Sequence, residues 1–80
     1  MSRSRDVVEV VARALADRAD DVSVSVRERR EVTDIELSTA GQDLGRMIGR
    51  QGRTASSIRV LAELAESEDR RVSVDFVDTP

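Results

Sequence analysis

Apolar positions recur along this chain with two different periods, and the changes from one period to the other mark out its elements. From about Arg5 to Ala19, Val7, Val10, Val11, Ala14 and Leu15 fall at i, i+3, i+4, i+7 and i+8, which is one face of a helix. Ser4 is the expected N-cap, with acidic residues following early in the helix. Val8, Ala12 and Ala16 widen the apolar stripe, a width that suits either the sheet or a partner helix. Val22-Ser23-Val24-Ser25-Val26 then alternates with a period of two, as a half-buried strand does, and Thr33-Asp34-Ile35-Glu36-Leu37 repeats that alternation. Between them, Arg27-Glu28-Arg29-Arg30-Glu31 reads as the solvated turn of a hairpin.

The second half returns to the helical period. Thr39-Ala40-Gly41-Gln42 connects to a one-turn helix, for which Asp43 is the expected N-cap and Gly49 the end. Thr54 to about Glu66 places Ala55, Ile58, Leu61, Ala62 and Ala65 on one face, and Val72-Ser73-Val74-Asp75-Phe76 forms a final alternating strand. The order is α-β-β-α-α-β. Each element has a single apolar face, so the economical α+β packing places three helices on one side of a three-stranded sheet. A helical crossover permits the last two strands to be parallel while the hairpin is antiparallel, which makes the sheet mixed. Val24, Leu37, Leu61 and Val74 are the expected interior.

Between the second and third helical segments lies Gly49-Arg50-Gln51-Gly52, a G-x-x-G loop that Gly45 precedes by four residues. Glycine at both ends permits positive φ and removes Cβ atoms that would hold a ligand at a distance. A helix begins just after the loop, so its free N–H groups and positive dipole end face the space beside Arg50 and Arg53. Such an arrangement suits a phosphate. A Walker-type loop is excluded, because the glycine spacing is wrong and the chain contains no lysine.

Charge sharpens this reading. The net charge is −3 and the pI about 4.9, which is unusual for a nucleic-acid binder. Yet Leu44 to Val60 contains Arg46, Arg50, Arg53 and Arg59 and no acid; +4 there against −3 overall leaves −7 for the rest. Positive potential is therefore concentrated at the glycines. The absence of histidine and cysteine leaves Ser56 and Ser57 without a candidate base, and carboxylates such as Asp43 and Asp75 are read as caps or surface groups. No catalytic residue, metal site or cofactor is expected. A cysteine-free chain without an apolar run of membrane-spanning length is expected in the cytoplasm, away from membranes.

The flanked loop, from Leu44 through Gly52 and Arg53 to Ile58 and Leu61, resembles the G-x-x-G motif of RNA-binding KH domains. The element order resembles the type II form of that fold over nearly the whole chain, so residues 1–80 read as a single KH domain. Its size resembles the small bacterial KhpA family. The resemblance implies a clamp on the backbone of single-stranded RNA formed by Gly49, Arg50, Gln51 and Gly52, with Arg50 its charged member. Arg46 and Arg53 flank the clamp. Ile48 and Ile58 match positions that line the family's nucleotide groove, and each also fits plain core. Phe76, the lone aromatic residue, is expected in the core, which leaves no aromatic platform for stacking. The resemblance further implies a homodimer, or a heteromer with a larger KH-containing RNA-binding protein, acting in post-transcriptional control of bacterial cell elongation and division. The rival reading is a KH-like protein-interaction or dimerisation module with little RNA binding of its own.

Overall fold

The computed structural model describes residues 2–79. Helix α1 runs Arg3–Leu15, and Ser2, not Ser4, is its N-cap: the Ser2 hydroxyl accepts from the Arg5 amide at 3.1 Å. Ser4 instead lies inside, fully buried, and its hydroxyl donates to Glu66 Oε1 at 2.7 Å. A polar residue satisfied in this way joins the inward face, which turns the helix from its expected setting. Val8 and Ala12 are fully buried, whereas Val10 is 69% exposed and Ala14 is exposed. Val8 and Ala12, which only widened the expected stripe, are thus its most deeply buried members, while Val11 and Leu15 of the expected face pack against the core beside them.

The helix stops at Leu15, four residues short of its expected end, because Ala16 turns extended and the next two amides leave the helix for another acceptor. Asp43 supplies it. Its carboxylate accepts from the Asp17 and Arg18 amides, each at 3.0 Å. Asp43 therefore does not cap its own helix; it ties that helix to the turn after α1. A short 3₁₀ turn, Ala19–Asp21, leads into the sheet.

Strand β1 (Ser23–Glu28) pairs antiparallel with β2 (Val32–Thr39), and β2 pairs parallel with β3 (Arg71–Asp78), giving the mixed order β1-β2-β3. In register, Val24 meets Leu37 on one side and Ile35 meets Val74 on the other. Every inward residue of the central strand, Thr33, Ile35, Leu37 and Thr39, is at most 1% exposed. Buried Thr33 is satisfied because its hydroxyl accepts from Arg70 Nε at 2.7 Å. The same guanidinium donates to the Arg29, Arg30 and Val32 carbonyls, fastening the hairpin turn to the start of β3.

Helix α2 (Gly41–Ile48) is two turns long, not one, because it starts at Gly41 with Ala40 as its cap residue. Helix α3 (Arg53–Leu64) follows the glycine loop. All three helices cover one face of the sheet, which confirms the expected α+β architecture. Val8, Ala12, Met47, Ile58 and Ala62 close the core over Val24, Ile35, Leu37 and Val74, with Phe76 packed at its margin. Leu61 departs from expectation: it is 43% exposed. Ala55, Ile58 and Ala62 form the inward stripe of α3, and Leu61 falls to one side of it.

Candidate nucleic-acid interface

The loop between α2 and α3 is built from backbone conformations that side chains resist. Gly49 takes φ +74°, ψ 173°, and Gly52 takes φ +73°, ψ 15°. A Cβ on Gly49 would overlap the Thr54 hydroxyl and lie 3.0 Å from the Thr54 amide nitrogen, so the loop folds tightly back on the first turn of α3. A Cβ on Gly52 would meet nothing within 4 Å, so this glycine opens outward. Gln51 is the one described non-glycine residue with positive φ, at 58°, and its Oε1 accepts from Arg53 Nη2 at 3.0 Å. Gly45 is different, because it sits within α2 with open space where its Cβ would be and no positive φ.

Helix α3 begins at Arg53 with Gly52 as its N-cap and no side-chain cap. The Arg53 amide donates to the Arg50 carbonyl, and the following first-turn N–H groups lack the intrahelical acceptors that later turns have. These donors and the positive end of the dipole lie beside the loop. Arg50 is exposed and, among the described residues, has no hydrogen-bond or ion-pair partner. Arg50 and Arg53 are therefore the charges that the loop presents.

The other two arginines of the basic stretch are engaged elsewhere. Arg46 is drawn to the end of α1, where Nη1 and Nη2 donate to the two Asp17 carboxylate oxygens at 2.9 and 3.1 Å and Nη1 also reaches the Leu15 carbonyl. This pairing with Asp17 balances the charge that the sequence counted toward the loop. Arg59 lies along α3, its Nε donating to the Val74 carbonyl at 3.3 Å and its guanidinium carbon 5.1 Å from the centre of the Phe76 ring.

A groove enclosing about 540 Å³ runs from the loop along the outer strand of the sheet. Ile48, Gly52 and Ala55 form its loop end, Arg59 and Phe76 its middle, and Glu36, Asp75 and Val77 its sheet side. Ile48 is 39% exposed and belongs to this surface; Ile58 is 2% exposed and takes the core alternative, supporting α3 from beneath. Of the expected site residues, Gly49, Arg50, Gln51, Gly52, Arg53 and Ile48 converge, while Arg46 and Ile58 do not. Sequence reasoning counted Arg59 in the basic stretch but did not name it as a site residue, although its spacing of four from Ala55 places both on one flank of the helix. Glu36 and Asp75 left no signal, because their proximity depends on the β2–β3 register.

The position of the loop depends on α2, and α2 depends on Asp43. The backbone amides of Arg18 and then Asp17 hold that carboxyl below its ordinary range, so the anchor is ionised at neutral pH.

Comparison with known proteins bears on this geometry. The family model described as KhpA/KhpB, KH domain, matches residues 5–76. RNA-binding protein KhpA of Halalkalibacterium halodurans is 43% identical over 75 residues, covering 92% of this chain and 99% of that protein. RNA-binding protein KhpA of Mycobacterium tuberculosis is 40% identical over 74 residues, covering 92% and 90%. Among solved structures, a variant of Aquifex aeolicus Era bound to GDP and aluminium fluoride superposes with a TM-score of 0.74 at 16% identity, over 96% of this chain and 31% of that one. Era in complex with MgGDPNP and nucleotides 1506–1542 of 16S ribosomal RNA superposes with a TM-score of 0.72, again at 16% identity, over 96% and 30%. That likeness is one of fold, and this chain spans about a third of the Era chains. With the family pattern running from Arg5 to Phe76 through the helices, sheet and glycine loop described above, this chain belongs to the KhpA/KhpB family of KH domains.

Proposed function

We propose that residues 1–80 act as one KH domain that binds single-stranded RNA in the cytoplasm. Gly49, Arg50, Gln51 and Gly52 clamp the sugar-phosphate backbone, Arg53 reaches a neighbouring phosphate, and the bases lie along the groove beside Ile48. The observation that carries this reading is the loop itself: two glycines at positive φ, one opening outward, ahead of an uncapped helix start and beside an unpartnered arginine. The names of the relatives, RNA-binding protein KhpA, agree with it.

The test replaces Arg50 and Gln51 by Asp, which reverses the loop charge without touching the core. Aspartate tolerates the left-handed conformation of position 51 better than most residues do. RNA affinity should collapse while circular dichroism and the melting temperature stay near wild type. Unchanged affinity in the folded variant would remove the clamp.

The domain acts, in this reading, as a homodimer or with a larger KH-containing RNA-binding protein, in post-transcriptional control of cell elongation and division. A single module grips about four nucleotides, and here the loop has one arginine, with Arg53 beside it, on a chain of net charge −3. Joining two modules raises avidity by roughly 10²–10⁴ without a new kind of contact. The surface favoured for this is not α1, whose Val8 and Ala12 are buried, but the solvent side of α3. There Ser56, Ser57, Val60, Leu61 and Leu64 form an uncharged stripe, with Leu64 76% exposed. A helix that is apolar on both sides is usually covered on both. The same stripe is the observation that favours the rival interaction module. Light scattering during size exclusion, followed by RNA titration with and without the partner, separates the two. A strict monomer that alone binds short RNA at nanomolar affinity would contradict the paired mode of action.

A further inference from the structure

Gln51 holds a backbone conformation that its glycine neighbours adopt freely and that a side chain resists. Its φ of 58° and ψ of 23° are left-handed, between glycines at φ +74° and +73°. For a residue with a Cβ this region is sparsely populated and costs free energy, so it persists only where something nearby favours it. Burial does not supply that, because Gln51 is exposed. The one hydrogen bond of its side chain among the described residues runs to Arg53, whose Nη2 donates to Oε1 at 3.0 Å.

That partner is of an uncommon kind in this chain. Arg5, Arg13, Arg18, Arg29 and Arg46 each pair with a carboxylate, which orients the guanidinium and also cancels its charge. An amide oxygen orients it and cancels nothing. Arg53 has no carboxylate partner among the described residues, so it stands at the start of α3 with its direction set, its full charge and its remaining N–H donors free. An arginine that swings freely before it grips a phosphate loses rotamer freedom on binding, at the expense of affinity. One that is already held loses less.

We infer that Gln51 is a positioning residue: its left-handed backbone aims the side-chain amide at Arg53 and presets that arginine for an RNA phosphate. The backbone of position 51 remains part of the clamp, while the side chain acts through Arg53 and not on RNA. The inference rests on the RNA-binding reading above and concerns how the same loop reaches the neighbouring phosphate.

Gln51→Asn isolates the contact, because asparagine accepts the left-handed conformation but is one methylene too short to reach Arg53. Fluorescence anisotropy at constant salt, with a random-sequence eight-nucleotide single-stranded RNA, should show affinity falling about threefold to tenfold, with the melting temperature near wild type. In an Arg53→Ala background the same substitution should change affinity by less than about twofold, since the residue it acts through is gone. Gln51→Glu keeps the reach and adds a charge that cancels that of Arg53, so it should lower both the affinity and the salt slope, the slope by up to about 0.7. Wild-type affinity in Gln51→Asn, with binding lost in the Arg50→Asp/Gln51→Asp variant, overturns the positioning role and leaves the clamp in place. A loss that persists in full in the Arg53→Ala background also overturns it, by placing the Gln51 side chain on the RNA. Wild-type affinity and slope in Gln51→Glu overturn it too. Unchanged binding in the Arg50→Asp/Gln51→Asp variant overturns this inference together with the RNA-binding reading beneath it.

Discussion

Gly49 and Thr54 are packed so closely that the glycine has no room for a Cβ, which would overlap the threonine hydroxyl. Gly49→Ala therefore has to strain the backbone and displace the first turn of α3 together. The conformational part alone costs roughly 1–3 kcal/mol. Gly45→Ala should act in the opposite direction, stabilising the protein by about 0.5–1 kcal/mol, since alanine gains helix propensity at an unobstructed position. Urea unfolding of the two variants checks both signs, and a destabilised Gly45→Ala would refute the description of α2.

Arg50 and Arg46 should separate in their response to salt. Loss of one single-strand phosphate contact in Arg50→Ala lowers the salt slope of RNA binding by about 0.7. Arg46→Ala, which removes the pair with Asp17, should leave that slope unchanged. Titrations at several salt concentrations distinguish them, and a slope lost at Arg46 would place that residue on the RNA.

Acid should loosen the tie between α2 and the turn after α1. Asp43 and Glu66 are both held below their ordinary values of 3.8 and 4.5, Asp43 by the Arg18 and Asp17 amides and Glu66 first by the Ser4 hydroxyl. Carboxyl groups depressed in the folded state contribute stability that is complete above those ordinary values and is lost as pH falls through the lowered folded ones. The melting temperature should therefore fall below about pH 4.5. In Asp43→Asn it should start lower at neutral pH and fall less steeply in acid. Thermal melts across pH on both proteins measure this, and parallel acid limbs would remove Asp43 as a contributor.

Leu37 and Leu61 have unequal surroundings despite equal side chains. Leu37→Ala should cost about 2–5 kcal/mol, because Leu37 is fully buried at the centre of the sheet. Leu61→Ala should change the stability of the monomer by no more than about 0.5 kcal/mol. A Leu61→Asp/Leu64→Asp variant should remain folded and lose self-association in light scattering. A variant that stays associated would clear the α3 stripe of that role.

Much of the fold was legible in the chain because its periods are unmixed. Val22 to Val26 and Val72 to Phe76 alternate cleanly, and no competing helical pattern runs through them. The errors share a cause. Ser4, Thr33 and Asp43 are polar residues inside the protein, each satisfied by a group distant in sequence: Glu66, Arg70, and the Asp17 and Arg18 amides. A pattern that sends polar residues outward cannot register them, and reading Ser4 as a cap hid that the inward face of α1 is centred on Ser4, Val8 and Ala12. At the candidate site, the glycines announced themselves because local backbone geometry demands them. Arg46 misled because a local count of charge does not show Asp17 approaching from another element. Glu36 and Asp75 were silent because only the strand register brings them together.

The groove's outer wall is β3, and that strand joins the sheet across a long span of chain: Ser73 bonds to Asp34, 39 residues earlier. Parallel pairing over such a distance forms late, since the entropy of closing the intervening chain must be met before the strands reward it. On a ribosome that adds about 5–20 residues per second, the glycine loop leaves the exit tunnel before the strand that will complete its binding surface. The loop between α2 and α3 is therefore made before the strand that lines the other side of the groove, and the groove is complete only once β3 has paired with β2.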